Sequence, residues 1–391
     1  MRKRYYRILA VMLSVSIITP AAIPVKVSAE EVQEETVVPL QEEEKEEDSE
    51  EGTMTAQIGD VQYATLEEAI LASGENDEIV LLKDAEIGAA ISITKNLTLR
   101  SAEGKNITLK RASYYKGNFF QITGGKRLNL GKAGETGSLT VDGGAKWVVE
   151  AVDESNPSQM TVVEAESPAQ EGAYNNGIES DSALIRVMSG SLYIFEKTSL
   201  QNNDNVHAST GGGAIYTSAG GGSRIHVYGT IRKNRSGAGG AALCSNGFLD
   251  IYDGANISGN QAAKNGGAIE NYSGGIITVR GGTMQGNRAS GKGGVLWTDG
   301  STTISGGNFT GNQATQGGVV FASGSASNRT AYFSGGTFSG NTADTGKDIA
   351  KFSQYAEFKG SLQAEEIWIP SGQFLKITGT LSGKTWGFLR K

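Results

Sequence analysis

The chain has 391 residues with a formal net charge of −7, and it carries 55 glycines, 6 prolines and one cysteine. So little proline beside so much glycine excludes collagen and a Pro/Gly-rich disordered tract, and the lone Cys244 excludes a disulfide scaffold or a multi-cysteine metal site. The charge is also uneven: twelve Asp or Glu against one Lys fall between Glu30 and Glu51, so the body from Gly52 onward is nearly neutral and offers no basic patch to nucleic acid or an anionic membrane.

In chain order, Arg2, Lys3, Arg4 and Arg7 precede an apolar run from Ile8 to Ile18 and the small-residue exit Val27-Ser28-Ala29. That is the make-up of a secretory signal peptide over 1–29, and the run is too short for a spanning helix, so the expected product is secreted or held at the cell surface with no integral membrane segment. Residues 30–52 read as a disordered, self-repelling acidic spacer. The domain proper is expected over 53–391. Thr65-Leu-Glu-Glu68 is a capping box that predicts a short helix from Thr65 to Ala72. Short alternating runs follow at Ile79–Leu82, Ile91–Ile93, Leu97–Leu99, Ile107–Leu109, Phe120–Ile122, Leu128–Leu130 and Leu139–Val141, each of which reads as a strand. The rhythm breaks between Gly143 and Asp181, which predicts a loop standing off the domain.

From residue 211 to 349 two markers recur together. Gly-Gly pairs end at Gly213, Gly240, Gly267, Gly294 and Gly318, with steps of 27, 27, 27 and 24, while Asn234, Asn260, Asn287, Asn312 and Asn341 advance by 26, 27, 25 and 29. Between them lie Ile225-His-Val227, Leu249-Asp-Ile251, Ile277-Thr-Val279, Thr302-Thr-Ile304 and Tyr332-Phe333, strand-like runs bounded by glycine. Each repeat therefore supplies two or three short strands with tight corners, and stacked coils bury what one coil could not. At a coil spacing of about 4.8 Å, the asparagines would lie above one another as a structural hydrogen-bonded ladder. Ile367–Ile369 and Phe374–Ile377 read as further strands, and the chain ends without a polar cap, as expected of a shortened form of a longer surface protein.

Gly-Gly-Ala-Ile at 212–215 and 266–269, paired with Phe-x-x-Asn at 309–312 and 338–341, resembles the repeat of the chlamydial polymorphic outer-membrane proteins. More broadly the chain resembles the bacterial surface proteins of the pectin lyase-like class. That resemblance implies an all-β fold, a right-handed parallel β-helix with a short N-terminal capping helix. It also implies either of two functions, since the fold hosts adhesins and stalks as well as lyases and hydrolases.

Enzymes of that class use clustered aspartates with a histidine, or acidic calcium ligands beside an Arg or Lys base. Here His207 and His226 accompany no aspartate pair, and Asp250 and Asp253 with Arg232 and Lys233 one coil earlier are the nearest approach to a metal-and-base constellation. Two acidic residues are few for calcium, so no metal and no cofactor is expected. A more suggestive column takes the third position after each second glycine: Tyr216, Leu243, Glu270, Trp297 and Phe321. If Ile215, Ala242, Ile269, Leu296 and Val320 point inward, this column faces out, and Tyr216, Trp297 and Phe321 become candidate contacts for sugar rings or a partner protein. In the opposite phase the column is core. Cys244, after Ala241-Ala242-Leu243, reads as a packed thiol. The leading expectation is a non-catalytic β-helix, adhesin-like or a structural stalk, that binds carbohydrate or a host or cell-surface protein; the alternative is a polysaccharide lyase or glycosidase.

Overall fold

The computed structural model describes residues 54–153, 155–220, 222–324, 330–352, 355–359 and 362–378, and the backbone of 387–390. The expected signal peptide over 1–29, the expected acidic spacer over 30–52 and Leu381 lie outside the described residues.

The described chain winds into a parallel β-helix. Strands recur in a fixed order and stack into a first sheet of 13 strands, a second of 9 and a third of 11, with neighbours one coil apart in sequence except at the N-terminal edge of the first. Nine coils carry all three strands, the first beginning at Asp77 and the ninth ending at Lys351. A fourth sheet of four two-residue strands, Asp204–Asn205, Arg235–Ser236, Gln261–Ala262 and Arg288–Ala289, forms a corner between the second and third.

Alternation decides which side chains enter the core. On the first sheet Leu128, Leu192, Ile225, Leu249 and Ile277 form one inward column, and Leu130, Ile194, Val227, Ile251, Val279, Ile304, Phe333 and Phe358 another. On the second sheet Val141, Leu200, Ile231, Ile257, Met284, Phe309 and Phe338 register in turn, and all of them are buried. Burying one such side chain stabilises the fold by about 1.5–3 kcal/mol. Like residues also stack on like, with Phe309 and Phe338 at 4.6 Å between centroids and Phe333 and Phe358 at 4.7 Å.

The start of the solenoid is closed by two devices. Thr65 caps a helix over Leu66–Ala72, accepting from the Glu68 N–H while Glu68 accepts from Thr65, and Leu66, Ala69 and Ile70 turn down onto the core of the first coil. Ahead of it, Ala56–Ile58 and Val61–Tyr63 form a hairpin that pairs antiparallel with Asp77–Leu81 and so occupies the sheet edge there. The alternating runs had not revealed this hairpin.

The excursion from Gly143 to Asp181, expected as a loop, is a three-stranded antiparallel sheet of Trp147–Asp153, Asn156–Glu164 and Tyr174–Asn175. It has its own small core of Ala145, Trp147 and Ala165 with Val149 and Ala173. Trp147 ties it to the solenoid, donating from Nε1 to the Lys233 carbonyl at 2.9 Å, and Asn175 donates to Asp204 at 2.9 Å.

Candidate functional site

The glycine repeat has a single conformational landmark. Gly212, Gly240, Gly266, Gly293, Gly317 and Gly346 all have positive φ, between 61° and 87°, where a side chain is strained. In most coils this is the first glycine of the pair, but Gly240 is the second of Gly239-Gly240, which shifts its coil by one residue. Leu243 therefore registers with the inward Ile215 and Ile269, and Cys244 takes its place in the column Tyr216, Cys244, Glu270, Trp297, Phe321.

That column points away from the core and yet is not an exposed aromatic stripe: Cys244 is 1% exposed, Glu270 7% and Phe321 2%, while Tyr216 and Trp297 are half-buried. The corner leading into each third-sheet strand folds over the column residue of the next coil. A side chain on Gly211 would collide with the Cys244 thiol, one on Gly239 would collide with the Glu270 carboxylate, and Lys292 Nζ lies 4.5 Å from the Phe321 ring centre. Arg186 lies over Tyr216 at 5.2 Å, Tyr272 meets Trp297 edge-on at 6.3 Å, and Phe321 stacks on Phe352 at 6.4 Å. Strand alternation alone could not reveal this cover, because it comes from a neighbouring coil.

Beneath the cover sits a small polar cluster. Tyr272 donates its hydroxyl to Glu270 at 2.9 Å. Burial pushes the Glu270 carboxyl above the usual carboxylate range and the Cys244 thiol up to about 12, so Cys244 is an inert, packed thiol. A carboxyl raised on folding favours the folded state below its unfolded pKa, and that advantage is lost as pH rises through the folded pKa. Glu270→Gln, which can still accept from Tyr272, is accordingly expected to melt at a higher temperature than the parent at pH 7 and at an equal one near pH 4; an offset independent of pH would refute the burial argument.

The asparagines form a continuous buried ladder that begins at Asn203. Asn234, Asn260, Asn287 and Asn312 each donate both backbone N–H and Nδ2 to the Oδ1 of the next asparagine at 2.9–3.1 Å, and Asn203 makes the backbone contact to Asn234. Each of these Nδ2 groups also reaches a second-sheet carbonyl of the preceding coil. The aligned amides end on opposite charges. Arg111 Nη2 donates to Asn203 Oδ1 at 2.9 Å, and Asn341 Nδ2 donates to Asp348 Oδ1 at 2.9 Å. Burial lowers Arg111 to about 10 and raises Asp348 above its usual range. Neither cap belongs to the repeat spacing that reveals the asparagines.

The outward face of the first sheet carries a feature the sequence reading missed. Tyr193 and His226 stack at 4.3 Å, Tyr228 and Tyr252 at 4.2 Å, Phe195 and Tyr228 at 5.8 Å, and His226 and Tyr252 at 6.0 Å, with all five rings half-buried. Beside them Arg224 lies 4.3 Å over Phe248. At the far end Arg280 lies over Tyr252 and pairs with Asp250 at 2.8 Å.

Burial pushes the Tyr228 phenol up to about 12, aided by the Tyr252 contact, and pushes the His226 imidazole below its ordinary value, so these two rings present uncharged hydrogen-bonding edges. His226 Nδ1 lies 3.1 Å from the Tyr252 hydroxyl. His226 is therefore an outward-facing strand residue held within a stack of rings. The signal was present as aromatics two residues apart in successive first-sheet strands: Tyr193 and Phe195, then His226 and Tyr228.

No protein-family model, curated protein or solved structure matches this chain.

Asp250 and Asp253 stand apart from Arg232 and Lys233. Asp250 is on the first sheet and paired with Arg280, and Asp253 is exposed in the turn after it. Arg232 and Lys233 belong to the second-sheet corner, where they line a cleft of about 450 Å³ together with Glu166 and Gln170, which lie on the connection before the last strand of the three-stranded side sheet formed by 147–175. Among the described residues no three His, Cys, Asp or Glu are grouped to hold a metal ion.

Proposed function

We propose that this protein is an exported, adhesin-like β-helix that works by binding along the aromatic face of its first sheet. The observation that carries the reading is the run of Tyr193, Phe195, His226, Tyr228 and Tyr252, a platform that spans three coils and presents phenol and imidazole edges. Amphipathic rings of this kind suit the alternating apolar faces and hydroxyls of a polysaccharide or the surface of a partner protein. The basic and apolar N-terminus, the acidic spacer and the likeness of the repeats to the chlamydial polymorphic outer-membrane proteins support export and display at a cell surface.

Binding of the purified protein to a panel of bacterial and host polysaccharides tests the reading. Tyr228→Ser is expected to weaken binding by about tenfold or more, while Trp297→Ala on the third sheet leaves it unchanged. Equal binding by Tyr228→Ser would remove the platform from the reading. Release of unsaturated or reducing ends from a polyuronate, lost on Asp250→Asn, would replace it with a lyase or glycosidase.

A further inference from the structure

The side sheet departs from the rest of the molecule in three ways at once. Its outer strand, Asn156–Glu164, is exposed at all nine positions and pairs only with Trp147–Asp153, so its other edge meets no strand among the described residues. Sheets usually protect such an edge with lysines, prolines or bulges. Here Pro157 and the irregularity at Val152/Asp153 fall at one end, and from Ser158 to Glu164 the only charged residue is Glu164.

The second departure is an uncovered apolar face. Val152 pairs with Met160, Glu150 with Val162, Val148 with Glu164 and with Tyr174, so these side chains share one face. Val152 is 54% exposed, Met160 54% and Val162 51%. The opposite face, with Trp147 and Val149, holds the small core.

The third is charge. From Gly143 to Asp181 there are eight acidic residues against the single Lys146, a net −7, whereas the rest of the body from Gly52 onward is net positive. Two copies of this sheet would repel each other, and the chain's own acidic stretch from Glu30 to Glu51 carries the same sign.

We propose that the side sheet is a docking strand for an extended, basic and apolar segment of another protein, which adds to the edge of Asn156–Glu164 as a fourth strand. Backbone groups of the free edge supply the pairing, Val152, Met160 and Val162 receive the apolar residues, and Glu150 and Glu164 receive the lysines or arginines. The sheet is held for this by Trp147 on Lys233, by Arg235 lying 5.3 Å over the Trp147 ring, and by the Ala145 N–H donating to the Asn202 carbonyl at 2.8 Å. A shelf fixed at its base loses little freedom on binding.

The test uses the full chain and a labelled eight-residue peptide of alternating Lys and Val, with Glu/Val and Lys/Ser peptides as controls, followed by fluorescence anisotropy. The Lys/Val peptide is expected to bind, to weaken about tenfold between low and high salt, and to lose about tenfold or more with Thr161→Pro at the edge and with Val162→Lys on the outer face. Val162→Lys keeps the strand backbone intact, so its loss would not stem from unfolding. Unchanged binding by Val162→Lys, binding of the Lys/Ser peptide as tight as that of the Lys/Val peptide, or no binding of the Lys/Val peptide at all would overturn the proposal. So would sedimentation showing a dimer that disappears on Met160→Lys, which would make a second copy the occupant.

Discussion

Replacing Asn287 by alanine is expected to destabilise the solenoid by about 4 kcal/mol, far more than the loss of one surface amide. Four contacts go at once: the Asn260 backbone N–H at 3.1 Å loses its acceptor, its Nδ2 at 3.0 Å loses one of two, the Ile257 carbonyl loses a side-chain donor, and Asn312 Oδ1 loses one of two donors. Every one of these groups is buried, and an unsatisfied buried polar group costs about 1–3 kcal/mol. Asn287→Asp separates charge from shape. Its carboxylate would face two acceptors where the amide now donates, so its pKa would rise on folding, and the deficit should be smallest below the ordinary aspartate range and grow as pH rises. Urea unfolding of both variants at several pH values measures this; an Asp variant with a pH-independent deficit would contradict the donor assignment.

The second large effect concerns the left-handed glycines, and it depends on which corner is tested. Gly293 (φ 72°) and Gly286 (φ 59°) share a backbone region, so alanine strains both by about 1 kcal/mol. They differ in surroundings. A β-carbon on Gly293 would lie 2.5 Å from the Leu296 carbonyl carbon and 2.7 Å from the Trp297 nitrogen, whereas at Gly286 nothing lies within 4 Å. The neighbours of Gly293 are backbone and cannot swing aside, so Gly293→Ala is expected to cost about 3 kcal/mol or more and Gly286→Ala only the strain. Thermal melts of the pair decide it: equal losses would mean that conformation alone fixes both glycines.

Several parts of the molecule were legible in the sequence because they are local or repeat locally. The capping box at Thr65 and Glu68, the strands from Ile79 to Val141 and the winding of 211–349 depend on side-chain alternation, turn chemistry and a fixed spacing, each visible within one coil. The column after the glycine pairs differs from the spacing at one coil only, where a left-handed glycine that is second of its pair shifts the strand by one residue, putting Leu243 inward in place of Ala242 and Cys244 in the column in place of Leu243. Counting glycines cannot tell which one has positive φ; the hydrogen bonds to the next coil do.

By itself the sequence determined the repeat, its strands and the inward hydrophobic columns, because an apolar residue at every second position can go only one way in a strand. Tertiary structure alone decided which outward faces meet water. Cys244, Glu270 and Phe321 are covered by corners of the coil before them, and the ladder ends on Arg111 and Asp348, which the repeat does not mark. The rings of Tyr193, His226 and Tyr252 become neighbours only when coils stack. These are contacts between coils, set by the spacing of the stack and by loop lengths across it, and no window along one coil contains them.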